Sequence, residues 1–354
     1  MPVGPNLSET PRCARIRKFS ETFIYILLLF FIYPISLDQE EYLFERYLQS
    51  FNKSYENDTI YHKRFEAFKE SLKRIKNLNS LRSNASATYG LTKYSDMFPE
   101  EFSKSQLVLR QPFKKIKNLK QNVPRSKRFI NTTSFNLPQK VDIRKKRAVS
   151  DIQAQGSCGA CWAFAVVGII ESMNALKTGN LTKLSVQQMI DCSDYDYGCK
   201  GGDICTLLDW ITTFDIKILT EDTYPLSLAS ETCKRTSKYG SGGVKIEGFN
   251  CESFVGNEFV MLYILANFGT LAVGINAESW QHYIGGIIQF HCDSSATSLN
   301  HAVQIVGYDL TGPIPHYIIR NSWGKDFGHD GYLYVAIGNN LCGLAHEVAS
   351  VQVL

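Results

Sequence analysis

The chain has 354 residues, 44% of them hydrophobic and 20% charged, with a formal net charge of +4. One hydrophobic core rarely grows past roughly 250 residues, so this length calls for two packed domains and an extension. The charge is too small, and the basic clusters at 12–18, 114–120, 125–128 and 144–147 too poor in interleaved aromatics, for a nucleic-acid partner.

Residues 23–33 are an unbroken apolar run, preceded by Arg12, Arg15, Arg17 and Lys18 and followed by Pro34 and Ser36. That is the layout of a secretory signal, and the run is shorter than the roughly 20 residues of a membrane-spanning helix. Residues 1–37 are therefore read as a signal peptide, with a signal anchor as the alternative because the basic region before the run is long. Acceptor sequons at Asn52, Asn57, Asn84, Asn131 and Asn180 agree with export. So do ten cysteines, nine of them after residue 157, which suit an oxidising compartment; Cys13 would leave with the signal.

Residues 39–81 are rich in Glu, Lys, Arg and Leu and contain no proline. Leu43, Tyr47 and Leu48, then Phe65, Phe68, Leu72, Ile75 and Leu78, recur at helical spacing, which predicts two amphipathic helices. Gly90 and Pro99 read as breakers, and the basic tract after Phe102 lacks periodicity and reads as a linker. Arg125-Ser126-Lys127-Arg128 within it is either a cleavable basic site, resembling proprotein convertase targets, or a solvated charge run. Aromatic, glycine and cysteine content then rises, which divides the chain into an extension at 38–134 and a domain at 135–354.

In that domain residues 161–176 read as a helix that is apolar nearly all round, hence buried, closed by Gly179. Residues 271–275, 302–308, 316–320 and 331–337 are short runs rich in β-branched and aromatic residues and read as strands. Helices first and strands later predict an α+β architecture, with a helical domain facing a strand-rich one.

The sharpest segment is Gln155-Gly156-Ser157-Cys158-Gly159-Ala160-Cys161-Trp162-Ala163-Phe164. A cysteine at the start of a buried helix sits at the positive end of the macrodipole, which favours the nucleophilic thiolate. A zinc site would need a second Cys/His pair at matching spacing, and Cys192 and Cys199 are too far apart for that. A thioredoxin-like motif would need a βαβ context that is missing here. A base belongs on a rigid strand elsewhere, and His301, 140 residues after Cys161, opens the apolar run 302–308. The other histidines lack that context. Asn321, just after the strand at 316–320, could hydrogen-bond and orient the imidazole, or be a turn residue.

These blocks, together with Asn300-His301-Ala302 and Asn321-Ser322-Trp323-Gly324, resemble the papain family of cysteine proteases in content, order and spacing. The resemblance implies a papain-like two-domain fold, with a helical domain facing an antiparallel β-barrel-like domain, behind a helical inhibitory propeptide. It implies Cys161 as nucleophile, His301 as proton shuttle, Asn321 as orienting group beneath Trp323, and Gln155 with the Cys161 amide as oxyanion hole. Arg64, Phe68, Ile75 and Asn79 fall on the interspersed motif of cathepsin L-type propeptides, although Ile60 and Ser71 depart from it. Gly90, Tyr94 and Asp96 resemble the short motif that follows, with Thr92 where Asn is usual. Such a segment would block the cleft until cleavage.

The family pattern also implies the disulfides Cys158–Cys199, Cys192–Cys233 and Cys292–Cys342, leaving Cys205 and Cys251 either paired or free. Ile143 stands where the family has Trp. Gly201 and Gly202 would line the peptide-binding edge together with Asn300 and Trp323, and Asp203, Ile204, Gly274 and Leu299 would approach the pocket for the second residue before the cut. Glu347 falls at that pocket's floor, where it would admit Arg as well as apolar side chains, unless a slipped register turns it to solvent. The occluding insertion of cathepsin B is absent between Cys199 and Cys233, which favours endopeptidase action. Implied partners are protein or peptide substrates, the chain's own propeptide and cystatin-like inhibitors; a monomer with no metal or organic cofactor is expected, in the lysosome or outside the cell. Two other readings remain: a protease-shaped binder, which would usually have lost its nucleophile or base, and an acyltransferase or transglutaminase, which would need another acceptor site.

Overall fold

A computed structural model describes residues 37–80, 86–109, 137–234 and 242–354 of the chain. The apolar run at 23–33, Cys13, the basic clusters at 12–18, 114–120 and 125–128, and the sequons at Asn84 and Asn131 lie outside the described residues. No helix among the described residues is long and apolar enough to cross a membrane.

The heptad-like stripes of the extension form helices α1 (Leu37–Ser50) and α2 (Asp58–Ser80). Met1–Phe65 is one unit and Glu66–Leu354 a second. In the first, Phe44 is fully buried against Tyr61 and Phe65, with ring centroids 5.3 Å away in both cases. The buried stripe is thus aromatic, running through Phe44 and Tyr47 and leaving Leu43 and Leu48 at its margin.

The second unit continues with β1 (Thr88–Tyr89) and then departs from expectation. Pro99 does not break the chain but opens a helix, α3 (Pro99–Gln106). At the first helical position proline lacks only an N–H that would have had no intrahelical partner. The Phe98 amide donates to Glu101 Oε2 at 3.1 Å, and Glu100 and Glu101 complement the helix dipole. The tract after Phe102, expected to be a linker, is therefore helical to Gln106, and Leu107 and Leu109 beyond it are buried.

After β2 (Lys140–Asp142), Ile143 starts a short 3-10 turn and fills an apolar niche with Ala148 and Ala175. Helix α4 (Cys161–Thr178) is buried along most of its length and ends on Gly179, whose φ of 75° is left-handed. Around it pack α5 (Val186–Cys192), capped by Ser185, and α6 (Ile204–Thr213), capped by Asp203. The remaining chain is β3 (Ile246–Glu252), α7 (Glu258–Asn267), β4 (Leu271–Ile275), β5 (Tyr283–Gly285), β6 (Ile287–Ile288), β7 (His301–Asp309), β8 (His316–Arg320), β9 (Tyr332–Ala336) and β10 (Val348–Val353). The eight-stranded sheet runs β3-β10-β4-β7-β8-β9-β6, with β2 also pairing β7; β6 joins β9 in parallel and the other pairs are antiparallel. Both α4 and α7 pack on β7, and all nine of its residues are buried, which is why it reads as a continuous apolar run instead of an alternation. Among the described cysteines, Cys158–Cys199, Cys192–Cys233, Cys205–Cys251 and Cys292–Cys342 are disulfides and Cys161 is free.

One polar cluster fixes α4 on β7. Gln304 Nε2 donates to Gly168 O and Ser172 Oγ, both at 2.9 Å, and Gln304 Oε1 accepts from Arg320 Nη1 at 3.2 Å. A Cβ on Gly168 would lie 2.7 Å from Gln304 Oε1 and 2.8 Å from Arg320 Nη1. Gly168→Ala should accordingly cost about 1–3 kcal/mol of stability through overpacking. Urea unfolding with unchanged stability would contradict this account of the seam.

Candidate active site

Three loops and one helix terminus converge where β7 begins. Cys161 is the first residue of α4, fully buried, and its sulfur is hydrogen-bonded by the backbone amides of Ala302, Trp162 and Val108. Burial pushes the thiol up to about 11, against the pull of those amides. His301 opens β7, also fully buried, and its Nε2 donates to Asn321 Oδ1 at 2.8 Å. A proton held on Nε2 leaves Nδ1 as the basic nitrogen of the neutral ring. Burial lowers the imidazole to about 4, opposed by Asn321 and by the Gln106 carbonyl. Trp323 lies 4.8 Å from the imidazole, centroid to centroid, and Trp280 meets it edge-on at 6.1 Å.

Gln155 is locked from several directions. Its amide donates to Ser322 O at 2.8 Å, its Oε1 accepts from Ser322 Oγ at 2.7 Å, and its Nε2 donates to Cys158 O at 3.1 Å. The same Nε2 reaches the Gln106 carbonyl at 3.4 Å. One carbonyl of the extension thus touches both His301 and Gln155, while the amide two residues on touches Cys161.

The rest of the cleft follows from the edges of α6 and β4. Leu109 pairs in parallel with Gly202, and its amide donates to Asn300 O at 3.0 Å. The Gly274 Cα faces Leu109, Leu299 and Glu347, all within 3.2 Å of where a Cβ would stand. Gly201 adopts φ of 110°, open to glycine alone without strain. Asp203 caps α6 and is hydrogen-bonded to Glu347. Glu347 therefore turns toward the pocket and not to solvent. Ile204 is fully buried in the core below.

A family model for papain family cysteine proteases matches residues 137–352. The chain belongs to the papain family of cysteine proteases. A second model, the cathepsin propeptide inhibitor domain, matches residues 44–102. Human cathepsin O is 42% identical over 289 residues, covering 81% of this chain and 87% of that protein. Cysteine proteinase A of Leishmania mexicana is 33% identical, covering 85% and 82%. Among solved structures, recombinant stem bromelain precursor aligns with a TM-score of 0.73 at 28% identity, covering 88% of this chain and 98% of that one. Digestive procathepsin L 3 of Tenebrio molitor aligns at 0.71 and 28%, covering 90% and 99%. The chain is thus a papain-like cysteine endopeptidase made as a zymogen, with an inhibitory propeptide at its N-terminal side.

Gln281, which no sequence motif singled out, is the centre of the contacts that hold this propeptide. Gln281 accepts from Arg74 Nη1 at 2.7 Å and donates through Nε2 to Tyr94 O at 2.9 Å and Met97 O at 2.8 Å. Its carbonyl accepts from Thr92 Oγ1 at 2.6 Å, and β1 pairs β5 just beyond. Tyr94 and Phe102 meet Trp323 edge-on at 5.8 and 5.3 Å. A glutamine that grips two carbonyls and a guanidinium has no local signature. Losing a hydrogen bond to a charged group costs about 1.5–3 kcal/mol. Processed enzyme carrying Gln281→Ala should bind added propeptide about ten- to a hundredfold more weakly. An unchanged inhibition constant would remove Gln281 from the seam's energetics.

Proposed function

We propose that Cys161, His301 and Asn321 act as a catalytic unit that hydrolyses internal peptide bonds through a thioester acyl-enzyme. The observation that carries this reading is the Nε2–H donation from His301 to Asn321, which leaves Nδ1 to take the Cys161 proton once the extension is gone. The thiolate attacks the scissile carbonyl carbon, and the carbonyl oxygen becomes an oxyanion held by Gln155 Nε2 and the Cys161 amide. His301 then gives its proton to the leaving amine as the C–N bond breaks, producing the thioester. Water, deprotonated by His301, attacks the thioester and releases the carboxylic acid and the thiol. Gln106 supports the assignment of Gln155, because its carbonyl already sits against that donor and His301 in the zymogen.

Latency has a physical reading as well. With Val108 and Gln106 packed over the site, an ion pair would have to form out of water, and both groups stay neutral. The basic segment 125–128 is a candidate maturation site, within an extension spanning 38–134 and ahead of a catalytic domain at 135–354. Four disulfides and the cathepsin relatives support a route through the secretory pathway to the lysosome or the cell exterior.

Two measurements test this. A thiol-directed epoxide should label the processed chain and not the full-length chain, and never Cys161→Ala. Gln155→Ala should lower kcat by about 10²–10³-fold with little change in KM. Labelling of Cys161→Ala, or full activity of Gln155→Ala, would defeat the assignment.

A further inference from the structure

The disulfide Cys205–Cys251 lies outside the three that the family pattern implies, and its surroundings differ from theirs. Each of the other three has one buried cysteine, Cys158, Cys192 or Cys342, whereas Cys205 and Cys251 are both half-buried. A thiolate must reach a sulfur to exchange with it, so this disulfide is the one that a reductant can approach from either end. It joins the first turn of α6 to β3. Glu347, the residue before β10, lies against it, with Oε1 at 3.4 Å from Cys205 Sγ. Cys205 Sγ, Cys251 Sγ and a Glu347 carboxylate oxygen all lie within 4.8 Å of one another, and no other group of three Cys, His, Asp or Glu side chains is gathered in this way among the described residues. No lysine or arginine among the described residues forms an ion pair with Glu347.

Two thiolates and a carboxylate suit a thiophilic divalent cation such as Zn²⁺, and not Mg²⁺ or Ca²⁺, which take oxygen. Zinc binds sulfur at about 2.3 Å and carboxylate oxygen at about 2.0–2.2 Å, so its tetrahedral ligands stand about 3.5–4 Å apart. Side-chain rotation brings the three atoms to that spacing once the sulfurs are no longer bonded. Cys205 sits in the first turn of α6, where the helix dipole favours its thiolate. We propose that reduction of Cys205–Cys251 opens a zinc site built from these two cysteines and Glu347. The reduction takes two electrons: a dithiol forms its own disulfide as the Cys205–Cys251 bond breaks, and each cysteine sulfur receives a proton. Zn²⁺ then displaces those two protons, binds both sulfurs and one Glu347 oxygen, and leaves its fourth position to water. The ion takes over from the disulfide as the tie between α6 and β3, so the tie persists when the disulfide is lost. None of this depends on Cys161 being a nucleophile.

The test uses full-length Cys161→Ala, in which the catalytic thiol cannot bind metal. After limited treatment with a dithiol, alkylation by iodoacetamide and peptide mapping should find Cys205 and Cys251 modified ahead of the other disulfide cysteines, and Zn²⁺ added before the iodoacetamide should protect both. Co²⁺ added to the reduced chain should give a thiolate-to-cobalt charge-transfer absorption that Zn²⁺ abolishes and Mg²⁺ does not. The oxidised chain, and a reduced chain carrying Cys205→Ser with Cys251→Ser, should not give it. Glu347→Gln should weaken Co²⁺ binding by at least about tenfold. Zn²⁺ should raise the Tm of the reduced chain and leave that of the oxidised chain unchanged. Prior reduction of another disulfide, an absorption that survives the double serine variant, or undiminished Co²⁺ affinity in Glu347→Gln would each overturn the proposal. The protection experiment decides it without any change at the site: alkylation of Cys205 and Cys251 at the same rate with and without Zn²⁺ would overturn it.

Discussion

The seam between α4 and β7 decides where Cys161 stands relative to His301. Neither residue reaches the other through local sequence. Cys161 is carried by a helix buried between α5, α6 and the sheet, and His301 by a strand hydrogen-bonded to β4 along its first half and to β8 along its second. Gly168 lets Gln304 and Arg320 approach α4, and Gln304 ties the helix backbone to β7. The same β7–β8 pairing delivers Asn321 at the end of β8, one residue past Arg320, so the imidazole's orientation is set by sheet register. Shifting either element by a residue would reverse which side chains face the site.

Upon that frame the propeptide acts as a dielectric cover more than as a plug of shape alone. Gln106, Val108 and Leu109 supply polar backbone to each group of the cleft in turn: a carbonyl to His301 and Gln155, an amide to Cys161, and another amide to Asn300. None of these backbone groups carries a charge. Burial drives the thiol and the imidazole each toward neutrality. Latency follows from what burial does to these two titratable groups.

Much of the frame could be read from the chain. The helix starting at Cys161 is apolar on every side, so its extent and its stop at Gly179 were visible, and the strand His316–Arg320 is bounded by proline before it and Asn321 after it. What escaped were features without periodicity. Pro99 looked like a breaker because proline is one inside a helix, and only Glu100 and Glu101 after it hinted at a first turn. Leu107-Val108-Leu109 is too short a run to declare itself, since its partners Gly202, Asn300 and Gly274 are supplied by distant loops and strands. The side chain of Gln281 and the Asp203–Glu347 contact depend wholly on tertiary placement. Asp203 was visible near the pocket only through family resemblance, and its tie to Glu347 not at all.

The most direct test is the rate at which iodoacetamide alkylates Cys161 as a function of pH, measured on the full-length and the processed chain with Cys161→Ala as the blank. In the full-length chain the reaction should develop only as pH approaches about 11. In the processed chain it should be rapid through the acid and neutral range, as for a thiolate paired with an imidazolium. Coincident profiles for the two forms would contradict the claim that the propeptide silences the enzyme by keeping Cys161 and His301 uncharged.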